Sequence, residues 1–129
     1  MQLLNALVIT LSVLSSSHSH ALNLGKSPES TILGHPLNIL IPLEVNGLSS
    51  DQFTVKIAPA DLHIEQNIDY STVPKDLRVN VATKENDFFA LVTTKRPINQ
   101  PYIEFIIKLQ SPTATLYKRY QLIVDPQTY

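Results

Sequence analysis

Ile103-Glu104-Phe105-Ile106-Ile107-Lys108-Leu109-Gln110 alternates along its length, with Ile103, Phe105, Ile107 and Leu109 of one parity and Glu104, Lys108 and Gln110 of the other. A period of two is the mark of a half-buried β-strand. Ile106 breaks the outer face of that strand. The same rhythm recurs on both sides. Phe53, Val55 and Ile57 alternate with Thr54, Lys56 and Ala58, and Leu77, Val79 and Val81 alternate with Arg78, Asn80 and Ala82. Leu116, Tyr120, Leu122 and Val124 share one parity, with Lys118 out of pattern between them. A bulge near Lys118, or a long side chain snorkelling at the start of the strand, reconciles that break. Phe88 to Thr94 is nearly all apolar or β-branched, as in a central strand. Leu37 to Val45 is a long apolar run closed by Asn46-Gly47. Pro42 lies inside it and cannot donate to a ladder, so that strand is predicted to be an edge or to bulge there. Ser30 to Leu33 is a short run closed by Gly34-His35-Pro36.

Seven short strands punctuated at this spacing predict an all-β protein, an antiparallel β-sandwich of the Ig-like kind. One segment, Pro59-Ala60-Asp61-Leu62-His63-Ile64-Glu65-Gln66-Asn67, lacks alternation. It reads as a short helix near residues 59–67, with Pro59 at its first position and Asn67 as a left-handed cap.

Residues 1–21 hold no Asp, Glu, Lys or Arg, so every acidic and basic side chain of the 129-residue chain follows Ala21. The run from Leu3 to Leu14 is apolar on every face and shorter than a membrane span needs. The polar stretch Ser15 to His20 follows, with Ser19 and Ala21 at the small-residue positions a signal peptidase reads. A signal peptide over 1–21, a domain over 22–126 and a tail over 127–129 are expected, with a periplasmic address and no stable membrane insertion once the signal is cut.

Ten basic and eleven acidic residues give a net charge of −1, which offers no electrostatic footprint for nucleic acid. With no cysteine there is no disulfide, thiolate site or Cys nucleophile. His35 and His63 lack metal-ligand spacing; His35 is read as exposed in its turn and His63 as a partly buried or surface ring on the short helix. No GxSxG elbow and no glycine-rich phosphate loop occur. Asp61 and Glu65 share a helical face in an ordinary solvated arrangement. No catalytic, metal or cofactor residues are assigned. Two basic pairs, Lys95-Arg96 and Lys118-Arg119 with Tyr117 beside the second, are left as surface features. Lys95, Arg96, Tyr117 and Arg119 are the candidate protein-contact residues.

The order of the strands resembles the N-terminal periplasmic domain of the FimV/HubP family across residues 22–126. Leu22-Asn23-Leu24-Gly25 fits its opening, Ser30 to Asn38 fits its serine-then-Gly-x-Pro-Leu-Asn step through Gly34, Pro36 and Leu37, and Val55-Lys56-Ile57-Ala58 and Asn67-Ile68-Asp69 fit two further steps. Thr93 to Phe105 fits its Pro-Val-x-Glu-Pro segment through Pro97 and Pro101, and Arg119 to Pro126 fits its close through Tyr120, Asp125 and Pro126. His35, Asn67 and Gln100 depart from the family's usual glutamine, glycine and glutamate. The resemblance implies a non-enzymatic role in pilus or secretion-system assembly and envelope organisation, the partner being an envelope or assembly protein. Two alternatives stand beside it: a fimbrial component of structural or chaperone type acting by strand pairing, and a cell-wall module that binds peptidoglycan.

Overall fold

The computed structural model describes residues 22–126. The expected signal peptide and the three-residue tail lie outside them. Eight strands form: β1 (Asn23–Leu24), β2 (Ser30–Ile32), β3 (Pro36–Glu44), β4 (Thr54–Ile57), β5 (Arg78–Lys84), β6 (Asp87–Pro97), β7 (Tyr102–Gln110) and β8 (Thr115–Asp125). Between β4 and β5 come a helix, α1 (Ala60–Glu65), and a 3-10 turn at Tyr70–Thr72. Every strand read from the sequence is present. The eighth, β1, is two residues long and too short to show a period.

The strands make two four-stranded sheets, sheet I in the order β1-β3-β6-β5 and sheet II in the order β2-β8-β7-β4. All neighbours are antiparallel except β2 and β8, which run parallel from Ser30↔Ile123 to Ile32↔Asp125. The inward parity of each strand meets between the sheets. Leu37, Ile39 and Ile41 of β3 and Ala90 and Val92 of β6 are buried there, as are Ile103, Phe105, Ile107, Leu109 and Leu122 of sheet II. Phe105 stacks on Tyr120 with ring centroids 5.8 Å apart. Each large side chain so buried contributes about 1.5–3 kcal/mol, and this continuous apolar layer holds the sandwich together without a disulfide.

Of the two accounts of Lys118, the structure selects the second. The β7–β8 register runs unbroken from Tyr102↔Ile123 to Gln110↔Thr115, so there is no bulge. Lys118 points inward, and its stem reaches the rim of the core, where Nζ donates to the carbonyls of Leu24 and Gly25 at 2.9 and 3.2 Å. The Tyr120 hydroxyl donates to the same Gly25 oxygen at 2.8 Å. Burial pushes that phenol above the ordinary tyrosine range.

Pro42 is neither on an outermost strand nor at a bulge. β3 lies between β1 and β6, and its one register irregularity falls between Pro36 and Asn38. In an antiparallel strand the nitrogen and carbonyl of a residue face the same neighbour. The Pro42 carbonyl accepts the Gly25 N–H at 2.8 Å, so its nitrogen also faces β1 and the ladder to β6 loses no donor. The approach is close: a Cβ on Gly25 would stand 3.1 Å from Pro42.

The short helix runs from Ala60 to Glu65, inside the expected 59–67 range, and Pro59 is its N-cap, one position earlier than expected. Asn67 takes φ 62° beyond its end, and Ile68 N–H closes on the His63 carbonyl at 2.9 Å, the double-bonded left-handed stop seen at many helix ends. His63 is fully buried, against the expectation of a partly buried or surface ring. The reason is that β4 stops at Ile57 while β7 continues. Ala58 N–H still bonds the Ile106 carbonyl, but the Ile106 N–H on the same edge has no strand left to meet. His63 Nε2 accepts that N–H at 3.1 Å, and Nδ1 lies 3.0 Å from the Pro59 carbonyl. The ring is thereby the neutral tautomer with its proton on Nδ1. It completes the sheet edge with a side chain where backbone has turned away.

Candidate protein-binding surface

Several of the positions that carried the family resemblance, Gly34, Pro36, Leu37, Pro97, Pro101, Asp125 and Pro126, converge at one end of the sandwich. Gly34 turns there with φ 84°, and its N–H donates to the Ile98 carbonyl at 2.8 Å. Leu33 N–H reaches Asp125, Val124 N–H reaches the Pro101 carbonyl, and Ile98 N–H returns to His35. Leu37 N–H is met by the buried Thr94 hydroxyl at 2.9 Å. Backbone bonds thus tie the segments around Gly34, Pro36 and Leu37, around Pro97 and Pro101, and around Asp125 and Pro126. His35 is exposed in its turn, as expected.

The four candidate contact residues fall into two places on opposite sheets. Tyr117 and Arg119 project from the outer face of sheet II. Arg119 Nη2 donates to Glu104 Oε1 at 2.6 Å, and Nη1 donates to the Gln66 carbonyl at 3.0 Å at the end of α1. A guanidinium forked between a carboxylate and the carbonyl of the residue that caps the helix fixes the helix to the sheet. Nearly half of its side chain still faces solvent. Tyr117, also nearly half exposed, borders a hollow of about 330 Å³ with Leu62, Gln66, Ile106 and Arg119.

Further along the same face, Tyr102 and Ile123 stand directly opposite each other and are 45% and 60% exposed. Ile32 of β2 is exposed at the same end. Of these side chains, the tyrosines and the arginine are of the types enriched at interface centres. The sequence singled out Tyr117 and Arg119 but not Tyr102, Ile123 or Ile32. Adjacent parity on β7 and β8 was the available signal, and it needed the pairing register to be read.

Lys95 and Arg96 lie at the far end of β6, on sheet I. Their backbone N–H groups both donate to Asp76 Oδ2 at 2.8 Å. The Arg96 N–H foremost, with lesser help from that of Lys95, holds the Asp76 carboxyl below its usual range against the opposing effect of desolvation. Both side chains are exposed. Nearby, the Ser71 hydroxyl and N–H bond Asp69 and lower its carboxyl in the same way.

Among the described residues no three of His, Asp and Glu come together as a metal cage, and no helix is long and apolar enough to cross a membrane. The frame is an Ig-like sandwich whose distinctive side chains lie on its outside. The family model described as the FimV N-terminal Ig-like domain matches residues 22–127, and the chain belongs to that family. It is similar to the motility hub protein FimV of Pseudomonas aeruginosa strain PAO1, 28% identical over 124 residues that cover 95% of this chain and 14% of that protein. The FimV of strain UCBPP-PA14 matches equally, with 13% of its length covered. The chain therefore spans about one seventh of the length of the curated relatives it matches. No solved structure gives a significant match.

Proposed function

We propose that this chain is a non-enzymatic, periplasmic protein-interaction domain that binds an envelope protein engaged in pilus or secretion-system assembly. The exposed Tyr102, Ile123, Tyr117 and Arg119 on the outer face of sheet II carry the reading. Large aromatic and Arg side chains concentrate binding energy where they can be desolvated together. Membership of the FimV N-terminal family and the similarity to motility hub proteins supply the cellular setting. The uncharged, apolar leader supports export.

Photo-crosslinking in intact cells, with the reactive group placed at Tyr102 and separately at Tyr117, tests the face. The expected result is an adduct with an envelope assembly protein that disappears on Ile123→Asp. No adduct from either position overturns the reading. The periplasmic species should begin at Leu22; an uncut chain in the membrane fraction overturns the address.

A further inference from the structure

We propose that the outer face of sheet I pairs two copies of this chain, stacked face to face with their strands running in opposite directions. This face lies across the sandwich from the Tyr102–Tyr117 surface, and its pairing does not depend on what binds there.

α1 packs on the outer face of sheet II, held there by His63 and Arg119. Sheet I carries apolar side chains on its own outer face, in two rows. In the first, Leu40 lies opposite Leu91 and Leu91 opposite Asn80; in the second, Pro42 lies opposite Phe89 and Phe89 opposite Ala82. Leu40 and Pro42 are exposed, and Leu91, Phe89 and Ala82 are half-buried. An antiparallel sheet that turns one face to water ordinarily places polar residues there. Here Asn80 is the one polar residue of the six, and a contiguous apolar patch of this kind marks a contact surface.

Charge of opposite sign flanks the two ends of this patch. Past Leu91 come Thr93, with Arg78 across from it, and then Lys95, with Lys75 and Arg96 beside them in sequence. Asp76 accepts the Lys95 and Arg96 N–H groups. With Asp76 and the nearby Asp69 both counted, four cationic side chains stand against two carboxylates. Past Phe89 come Asp87, with Lys84 across from it, Glu44 at the end of β3 and Glu85 in the turn, three carboxylates to one ammonium. A two-fold axis lying in the face and crossing the strands lays apolar rows on apolar rows and sets each positive end over the partner's negative end. Arg78 then meets Lys84 of the partner copy together with Asp87 and Glu85, two carboxylates for one ammonium. The other in-plane axis, along the strands, stacks like charge on like. A different protein bearing charge of one sign would fit one end of the patch and be repelled at the other, whereas a second copy fits both. Three strands about 4.8 Å apart, over seven residues of about 3.4 Å, offer a face of roughly 350 Å². That is small for a specific interface, so the pair is a weak one, with a Kd of about 10⁻⁴ M.

Sedimentation equilibrium of the purified protein from about 10 μM to 1 mM tests the pairing, and a monomer–dimer transition within that range is expected. Leu40→Asp, at an exposed position, should weaken the dimer at least about tenfold while the circular dichroism spectrum stays β-dominated. Two charge-reversed variants test the orientation: Arg78→Glu/Lys95→Glu, and Glu44→Lys/Asp87→Lys, all at exposed positions. Each alone should stay monomeric, and the two mixed in equal amounts should dimerise again, because every end then meets its opposite. Amide shifts on dilution should centre on Leu40, Phe89 and Leu91. A chain that is monomeric throughout, a dimer indifferent to Leu40→Asp, a mixture of the two variants that stays monomeric, or shifts confined to the Tyr102–Tyr117 face each overturns the proposal. Cross-links from Tyr102 and Tyr117 read the opposite face: their loss leaves the pairing standing, and a monomeric chain leaves them standing.

Discussion

Ile106 and Leu40 both sit mid-strand with side chains directed away from the space between the sheets, yet Ile106 is 2% exposed and Leu40 39%. On sheet II the chain leaving β4 folds back as α1, places Leu62 beside Ile106, and is held there by His63 and Arg119. On sheet I, Leu40 lies opposite Leu91, and Pro42 opposite Phe89, with Leu40 and Pro42 exposed. An apolar residue on the outer parity of a strand therefore has two different meanings. One is a socket for a local helix, and the other is surface.

The largest effect should come from Ile106→Asp. A carboxylate there is stripped of water, and the Arg119 guanidinium opposite is already engaged by Glu104 and the Gln66 carbonyl, so a penalty of several kcal/mol is expected to remove the cooperative denaturant transition. Leu40→Asp, on the open sheet, should lower the unfolding free energy by no more than about 0.5 kcal/mol. Equal losses from the two would break the contrast. His63→Ala should cost about 2–4 kcal/mol, because it opens a void and orphans the Ile106 N–H. His63→Phe, which fills the space but accepts no hydrogen bond, sharpens the point and should still cost about 1–3 kcal/mol by chemical denaturation. Tyr120→Phe, which breaks the tie from β8 to Gly25 on the far rim of the core, should cost about 1 kcal/mol and leave the helix contacts unaltered.

Asp76 gives the smallest effect, on the sheet I side. Its carboxyl titrates below the ordinary 3.8 in the folded chain because two backbone N–H groups favour the charged form. The unfolded chain therefore binds the proton first as pH falls. The stability it adds is complete above the ordinary value and fades as pH drops through the folded one. Asp76→Asn should flatten that acid limb in melting curves recorded from neutral pH down to strongly acid conditions.

The strands were legible because burial on one face leaves a period of two in the sequence, and Ile106 was conspicuous as the residue that spoiled it. What covers Ile106 was not legible. His63 acts 43 positions away on a backbone N–H, and no local pattern announces that β4 will stop one residue short of that group's partner. Pro42 was misplaced for a similar reason. The rule that proline avoids ladders held, but which of two neighbours its nitrogen faces depends on register. Tyr117 and Arg119 could be singled out from their chemistry. Their separation from Lys95 and Arg96, onto opposite sheets, is a property of strand order.

The inward reach of Lys118 to Leu24 spans 94 positions of chain, and the parallel β2–β8 pair joins the same distant regions. β8 is an interior strand of sheet II although it is the last in sequence. Contacts of such separation raise the contact order and slow folding, since a long loop must close before any of them forms. They also set a schedule for synthesis. The second sheet is incomplete until residue 125 has left the ribosome, so β2, made early, waits for its neighbour β8 while five further strands emerge.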